Sequence, residues 1–249
     1  MGASHYSILV VLMLGELIFA ESVVTNPRRS DGFGGQFQTI IASVIYAELN
    51  NQKFMYTPFK GMEHNYHDDA SFLKKKEWLI NFIGNFEVNE NDTSIQLDHT
   101  VFLNFFEANL ARCVNSFSLQ KIKRIFRANK DRAHYFNNEN LHIAVHVRRP
   151  NAHDNRIQGA DTSDDVFLRA IGQLRAVYAA QNPQFHIYSQ GNPEHFTIYE
   201  AQDVLLHIDE SVEDTFIGMV LADVLVAAAS SLSYTAGLLL QGIFFFIPF

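Results

Sequence analysis

The chain predicts a two-domain α/β protein built on parallel, doubly wound sheets, and three observations carry that reading. Residues 141–149 read Leu-His-Ile-Ala-Val-His-Val-Arg-Arg, an apolar, β-branched run suited to a buried strand that delivers two arginines to its carboxyl end. Beyond it, strand-like and helix-like segments alternate through residue 247, the pattern of strand-helix-strand crossovers in a parallel sheet. With 249 residues and 47% hydrophobic content, the chain has room for two domains of about a hundred residues, each with its own core.

Residues 8–20 are apolar apart from Gly15 and Glu16, shorter than a membrane span of about 20 residues. Their length suits a signal-peptide core with a break at Ala20-Glu21-Ser22, although no Lys or Arg precedes them. Residues 1–21 are therefore read either as a signal or anchor segment, placing the chain in the secretory lumen, or as an ordinary buried element of a cytoplasmic protein. Val23, Val24 and Thr25 form a short strand feeding the glycine-rich residues 30–36. Behind them Phe37, Ile40, Ile41, Val44, Ile45 and Leu49 recur at helical spacing. Residues 53–57 read as the next strand and end in Pro58 and a polar loop holding Glu63, His64, Tyr66, His67, Asp68 and Asp69. Trp78, Phe82 and Phe86 are expected in the core. The polar residues 121–140 are expected to join the domains, which divides the chain at 22–135 and 136–249.

After the strand at 141–149, a polar stretch leads to Thr162 and Ser163, good N-caps, and a helix carrying Val166, Ala170, Ile171, Leu174 and Val177 on one face. Residues 185–188 form a strand closed by Ser189-Gln190-Gly191-Asn192, and Pro193 starts a brief helix. Residues 204–208 are a third strand. Ser211 caps a helix whose first turn carries Glu213 and Asp214, favourable at the positive dipole end. A fourth strand at 224–226, a helix opened by Ser230, Ser231 and Ser233, and a fifth strand at 243–247 complete the series.

The formal charge of −8 argues against nucleic-acid binding, which needs a basic surface. Positive charge is local: Lys121, Lys123, Arg124, Arg127, Lys130 and Arg132 fall on one expected helix, read as a solvated face or an attractor for an anionic donor. The lone Cys113 rules out an internal disulfide and reads as a small buried hydrophobe. His64, His67 and the neighbouring carboxylates lack metal-ligand spacing, so contacts to an acceptor are the preferred reading of that loop. Asn91-Asp92-Thr93 is a glycosylation acceptor only in a secreted chain.

Three blocks carry a family resemblance. His146-Val147-Arg148-Arg149 resembles the His-x-Arg-x-Gly-Asp strand end of GDP-fucose-dependent fucosyltransferases of the α1,2-, α1,6- and protein O-fucosyltransferase group. The Ser30 to Gln38 segment is similar to that group's Gly-x-Gly-x-Gln loop. Ala222-Asp223-Val224-Leu225-Val226 with Ser230-Ser231-Leu232-Ser233-Tyr234 resembles its closing Ala-Asp strand and serine-rich helix start. Order and spacing agree over residues 22–249, and the blocks are most similar to uncharacterised fucosyltransferase-like proteins of large DNA viruses and protists. One departure stands out: Pro150-Asn151 replaces the Gly-Asp after the arginines, and the nearest following carboxylate is Asp154.

The resemblance implies a GT-B-like fold, two Rossmann-like domains with the donor cleft between them, the first on the acceptor side and the second binding the nucleotide sugar. It implies metal-independent, inverting transfer of fucose from GDP-fucose, a donor substrate rather than a cofactor, to a hydroxyl of a glycan or glycoprotein. Arg148 and Arg149 would stabilise the departing diphosphate, assisted by the amides and dipole of the helix near Ser231 and by the Ser231 and Ser233 hydroxyls. Gly32, Gly34, Gly35 and Gln36 would form the loop against the sugar-phosphate, glycine permitting close approach, or only a tight turn. Asp214, or Glu213, and His146 would contact guanine, with dipole complementing and a buried core histidine as their structural counterparts. No Asp-x-Asp metal motif is evident. Asp31, Glu63, Asp68 and Asp69 remain equal as base. The alternatives are another nucleotide sugar and a non-catalytic nucleotide-binding relative.

Overall fold

The computed structural model describes residues 22–66, 68–89, 95–149 and 163–247. It contains two all-parallel sheets, in agreement with the α/β class expected. The smaller has order β2-β1-β3, from β1 (Val23–Thr25), β2 (Lys53–Met55) and β3 (Ile95–Gln96). Helix α1 (Phe33–Leu49) links β1 to β2, and α2 (Phe72–Ile80) precedes β3. Helices α3 (His99–Ala108), α4 (Leu110–Val114), α5 (Phe117–Arg127) and α6 (Arg132–Tyr135) then lead to the larger sheet.

That sheet starts with β4 (His142–His146), buried at all five positions, and has order β6-β5-β4-β7-β8. From β4 the chain runs through α7 (Asp164–Val177) to β5 (Gln184–Ser189), then through a 3-10 helix (Pro193–Tyr199) to β6 (Val204–Ile208). Helix α8 (Val212–Leu221) carries it back across to β7 (Val224–Ala227), and α9 (Ser231–Leu239) leads to β8 (Ile243–Phe246). The strand order reverses between β4 and β7, so their carboxyl ends border a switch-point crevice. In the smaller sheet the order reverses at β1.

Local chemistry explains the element starts. Ser211 accepts from Asp214 N, and Ser230 accepts from Leu232 N, two side-chain caps at the positions the serines marked. Asn192 caps the Pro193 helix. Ser163 precedes α7 without a capping bond, and Asp164 and Asp165 in the first turn serve the dipole instead.

One apolar core crosses from one sheet's helices to the other's. Phe33 and Phe37 of α1 meet Phe216 of α8, with Phe33 edge-on at 5.2 Å between ring centres, and Phe126 of α5 joins Phe216 at 5.6 Å. The opposite face of the large sheet packs Ile143, Val145, Phe185, Ile187, Val224 and Val226 against Phe167 and Ile171 of α7. Cys113 is fully buried, as expected of a small hydrophobe.

Two expectations are corrected. Trp78 is 52% exposed, with the Lys130 ammonium 5.1 Å from its ring, rather than in the core; Phe82 is buried and Phe86 packs against it. The basic run is neither a solvated face nor on a single helix. Helix α5 ends at Arg127, and Lys123 Nζ donates to Leu240 O (2.8 Å) while Arg127 Nη2 donates to Val220 O (2.7 Å). Arg132 Nε donates to Leu221 O (3.2 Å), and its Nη2 pairs with both Asp223 oxygens. These cations satisfy carbonyls where α8 and α9 end, the negative poles of those helices. Burial lowers the proton affinity of Lys123 and Arg127.

Residues 1–21, 90–94 and 150–162, hence the apolar leader, the glycosylation triplet and Asp154, lie outside the described residues. Among the described residues no helix is long and apolar enough to cross a membrane.

Candidate functional site

Strand β4 ends at the switch point, and the following peptide is fixed there by its neighbours. Ser189 Oγ donates to Val147 O (2.6 Å) and Gln190 Nε2 to Arg149 O (2.7 Å), both from the end of β5. Arg148 therefore leaves the sheet in a set direction. Its Nη1 donates to Ala229 O (3.0 Å), in the turn between β7 and α9, so the guanidinium spans the crevice from the first strand to the fourth. Arg149 turns the other way. Its guanidinium pairs with Asp164 in the first turn of α7, whose carboxylate also holds the Tyr199 hydroxyl, and it stacks 5.8 Å from the Phe196 ring. The two sequence-predicted arginines are thus separated: Arg148 points along the crevice, and Arg149 ties the loop after β4 to α7.

His146 is buried at the end of β4, and its Nδ1 has no partner within the described protein. A buried ring nitrogen is ordinarily satisfied by a hydrogen bond. Burial, with the charge of Arg148, holds its pKa down at about 4, so the ring is neutral at pH 7.

Helix α9 starts on the far side of the Ala229 turn with Ser231 exposed and Ser233 fully buried. Ser233 Oγ donates to Ala228 O (3.2 Å), closing the turn. Against this start lies the first turn of α1. A Cβ on Gly34 would fall 2.4 Å from Leu232 N and 2.6 Å from Leu232 Cα, and Thr235 Oγ1 donates to Gly34 O (3.1 Å). What the missing side chain of Gly34 admits is the α9 backbone, so the two switch points meet across one seam. A Cβ on Gly35 would collide with Asp31 Oδ2 at 2.4 Å, and one on Gly32, the N-cap of α1, would lie 3.0 Å from His64 Nε2.

Gln36 is buried with its amide committed to the loop. Nε2 donates to Asp31 O (2.6 Å) and Gly61 O (2.9 Å), joining the loops that follow β1 and β2. Asp214 is also engaged: Tyr135 Oη donates to one carboxylate oxygen (3.1 Å) and Ser211 Oγ to the other (2.7 Å). Glu213 accepts from Lys76 Nζ of α2 (2.7 Å), a largely buried ion pair between the two halves.

The sequence reading missed two features. A row of imidazoles crosses the large sheet: His142 Nδ1 meets His186 Nε2 (2.9 Å), His186 Nδ1 meets His207 Nε2 (3.0 Å), and His207 Nδ1 meets Glu210 Oε1 (2.7 Å). Where the Glu210 carboxylate accepts, each Nδ1 in the row of neutral rings is the donor. Burial, reinforced by the neighbouring imidazoles, pushes His186 down to about 3. Only spacing across three strands could have revealed the row, and one sequence does not carry register. The second feature is a cavity of about 400 Å³ lined by Arg28, Pro58, Phe59, Lys60, Val88 and Asn89, beside the carboxyl ends of β1 and β2. Among the described residues no three His, Cys, Asp or Glu side chains gather to hold a metal ion.

No protein-family model matches the chain, and no curated protein matches it. Solved structures that it resembles include POFUT1 in complex with GDP, at 14% identity over 92% of this chain and 98% of that one, TM-score 0.48. The NodZ α-1,6-fucosyltransferase soaked with GDP-fucose shows 14% identity over 88% and 93%, TM-score 0.43. The E. coli heptosyltransferase WaaC with ADP-2-deoxy-2-fluoro heptose shows 12% identity over 90% and 88%, TM-score 0.38. Each is a distant likeness.

Proposed function

We propose that the chain is a metal-independent, inverting glycosyltransferase of GT-B type that moves fucose from GDP-fucose to a hydroxyl of a glycan or glycoprotein. The observation that carries this reading is Arg148, fixed at the end of the central strand and braced on Ala229 O directly before α9. Breaking the sugar-phosphate bond leaves a diphosphate whose extra negative charge needs fixed positive groups. A guanidinium in a set orientation and the amino end of α9 meet that need without a metal ion. His146 Nδ1, buried and without a partner among the described residues, lies two residues from this arginine and suits a polar edge of the nucleotide. The cavity at Phe59 and Lys60 suits the acceptor, since an aromatic face and a cation together recognise a polar sugar.

A different nucleotide sugar is the second reading. It is favoured by Asp214, the guanine-reading candidate, having both carboxylate oxygens already bonded within the protein. A thermal-shift panel of GDP, UDP and CMP at matched concentration separates the readings. A guanine-selective rise in melting temperature is expected. A UDP-selective rise supports the other donor, and no rise with any of the three refutes nucleotide-sugar transfer.

A further inference from the structure

Accepting the reading above, the reaction needs a destination for the acceptor's proton, and the carboxylates of the loops divide. Asp31 is clamped by Arg29 through both oxygens, at 2.7 and 2.6 Å. Asp69 accepts from Ser71 N, Ser71 Oγ and Lys75 Nζ, bonds that hold its carboxyl well below the usual range. Each is already bonded to a cation, Asp31 to Arg29 and Asp69 to Lys75. We propose that His64 takes the proton, acting as the general base of transfer.

Four observations converge on this residue. His64 Nε2 overhangs Gly32, the N-cap of α1, two residues from the glycine that touches the start of α9. Its backbone is left-handed, with φ of 76°, a conformation uncommon for residues with a side chain and recurrent at functional sites. The turn that imposes it is pinned to the glycine loop by Glu63 N donating to Ser30 O (2.9 Å) and Gln36 Nε2 to Gly61 O (2.9 Å). The ring is oriented by a bond between Nδ1 and the Tyr66 hydroxyl, and the side chain is 40% exposed, open to a substrate.

In the tautomer that donates Nδ1–H to the tyrosine oxygen, the lone pair of Nε2 is the basic one, and this is the form the proposal requires. In the step, the acceptor oxygen bonds to C1 of the sugar while the C1–O bond to the diphosphate breaks, its electron pair leaving with GDP. The hydroxyl proton passes to Nε2. Glu63, with Oε2 4.0 Å from Nε2, balances the imidazolium until it loses the proton to water.

Release of GDP from GDP-fucose with water as acceptor tests this in the full chain, alongside GDP affinity. His64→Asn tolerates the left-handed backbone and keeps the fold. It should keep GDP affinity within a few-fold while the turnover number falls by about 10²- to 10⁴-fold and the acid limb of the pH profile disappears. His64→Ala should regain turnover on addition of imidazole, a rescue no structural role produces. Unchanged turnover in folded His64→Asn, or a loss that keeps the acid limb and ignores imidazole, overturns the assignment. Failure of the unaltered chain to bind GDP refutes the transferase reading on which the assignment rests, and the assignment falls with it.

Discussion

Gly34→Ala is the substitution whose effect the coordinates fix most closely. The added Cβ would lie 2.4 Å from Leu232 N, 2.6 Å from Leu232 Cα and 2.7 Å from Ser231 C, all backbone atoms of α9, so no side-chain rotation relieves the clash. The helices α1 and α9 must separate, straining the Thr235 to Gly34 bond and the Phe33 and Phe37 contacts with Phe216. Overpacking of this kind costs about 1–3 kcal/mol. For a chain of this size each kcal/mol lowers the melting temperature by about 2–4 °C, so a fall of roughly 2–12 °C is expected. Gly172→Ala is the control, because Gly172 lies inside α7 with nothing within 4 Å of its added Cβ. There the higher helix propensity of alanine should stabilise by about 0.5–1 kcal/mol. Calorimetry on both variants checks the pair. If Gly34→Ala melts with the parent, α1 and α9 do not touch as described.

Two further predictions concern the seam and the histidines. Lys76→Met leaves Glu213 without its partner and should cost about 3 kcal/mol, while Lys76→Met combined with Glu213→Met should recover most of that loss; strictly additive urea midpoints would refute the pairing. His142, His146 and His186 are all held below the ordinary imidazole pKa, so the stability they contribute is complete above about 6.5 and is lost as pH falls through about 4 and on toward 3. Unfolding near pH 5.5 should take up about two or more protons, read from the slope of stability against pH at about 1.4 kcal/mol per unit per proton, and a slope near zero would contradict neutral buried histidines.

The carboxyl-terminal half was legible because each of its elements announces itself locally. Residues 204–208 match β6, Ser211 and Ser230 cap where their hydroxyls suggested, and Pro193 opens a short helix. The preceding half was less so: Asp98, Ser116 and Asp131 cap α3, α5 and α6, yet α2 carries no such mark. Ser71 starts α2 without a side-chain cap bond, and the run of Lys74, Lys75 and Lys76 hides the fact that Lys76 is buried against Glu213. The basic residues after 120 misled for a related reason: they are attached to helix ends far away in sequence. At the site, residue types were readable and directions were not. Sequence pairs Arg148 with Arg149, yet Asp164 draws the second arginine to α7, and only the turn after β2 brings His64 over Gly32.

Arg148 is proposed as the principal diphosphate ligand, acting without a metal ion. Calorimetric titration of GDP into the parent chain and Arg148→Ala, with EDTA throughout, tests it most directly. A charge-assisted contact contributes about 1.5–3 kcal/mol, so the parent should bind in EDTA and Arg148→Ala should bind roughly 10- to 100-fold more weakly. Arg148→Lys should rescue poorly, since an ammonium lacks the planar fork. Equal affinity in parent and folded Arg148→Ala, or parent binding that returns only with magnesium or manganese, would contradict the account.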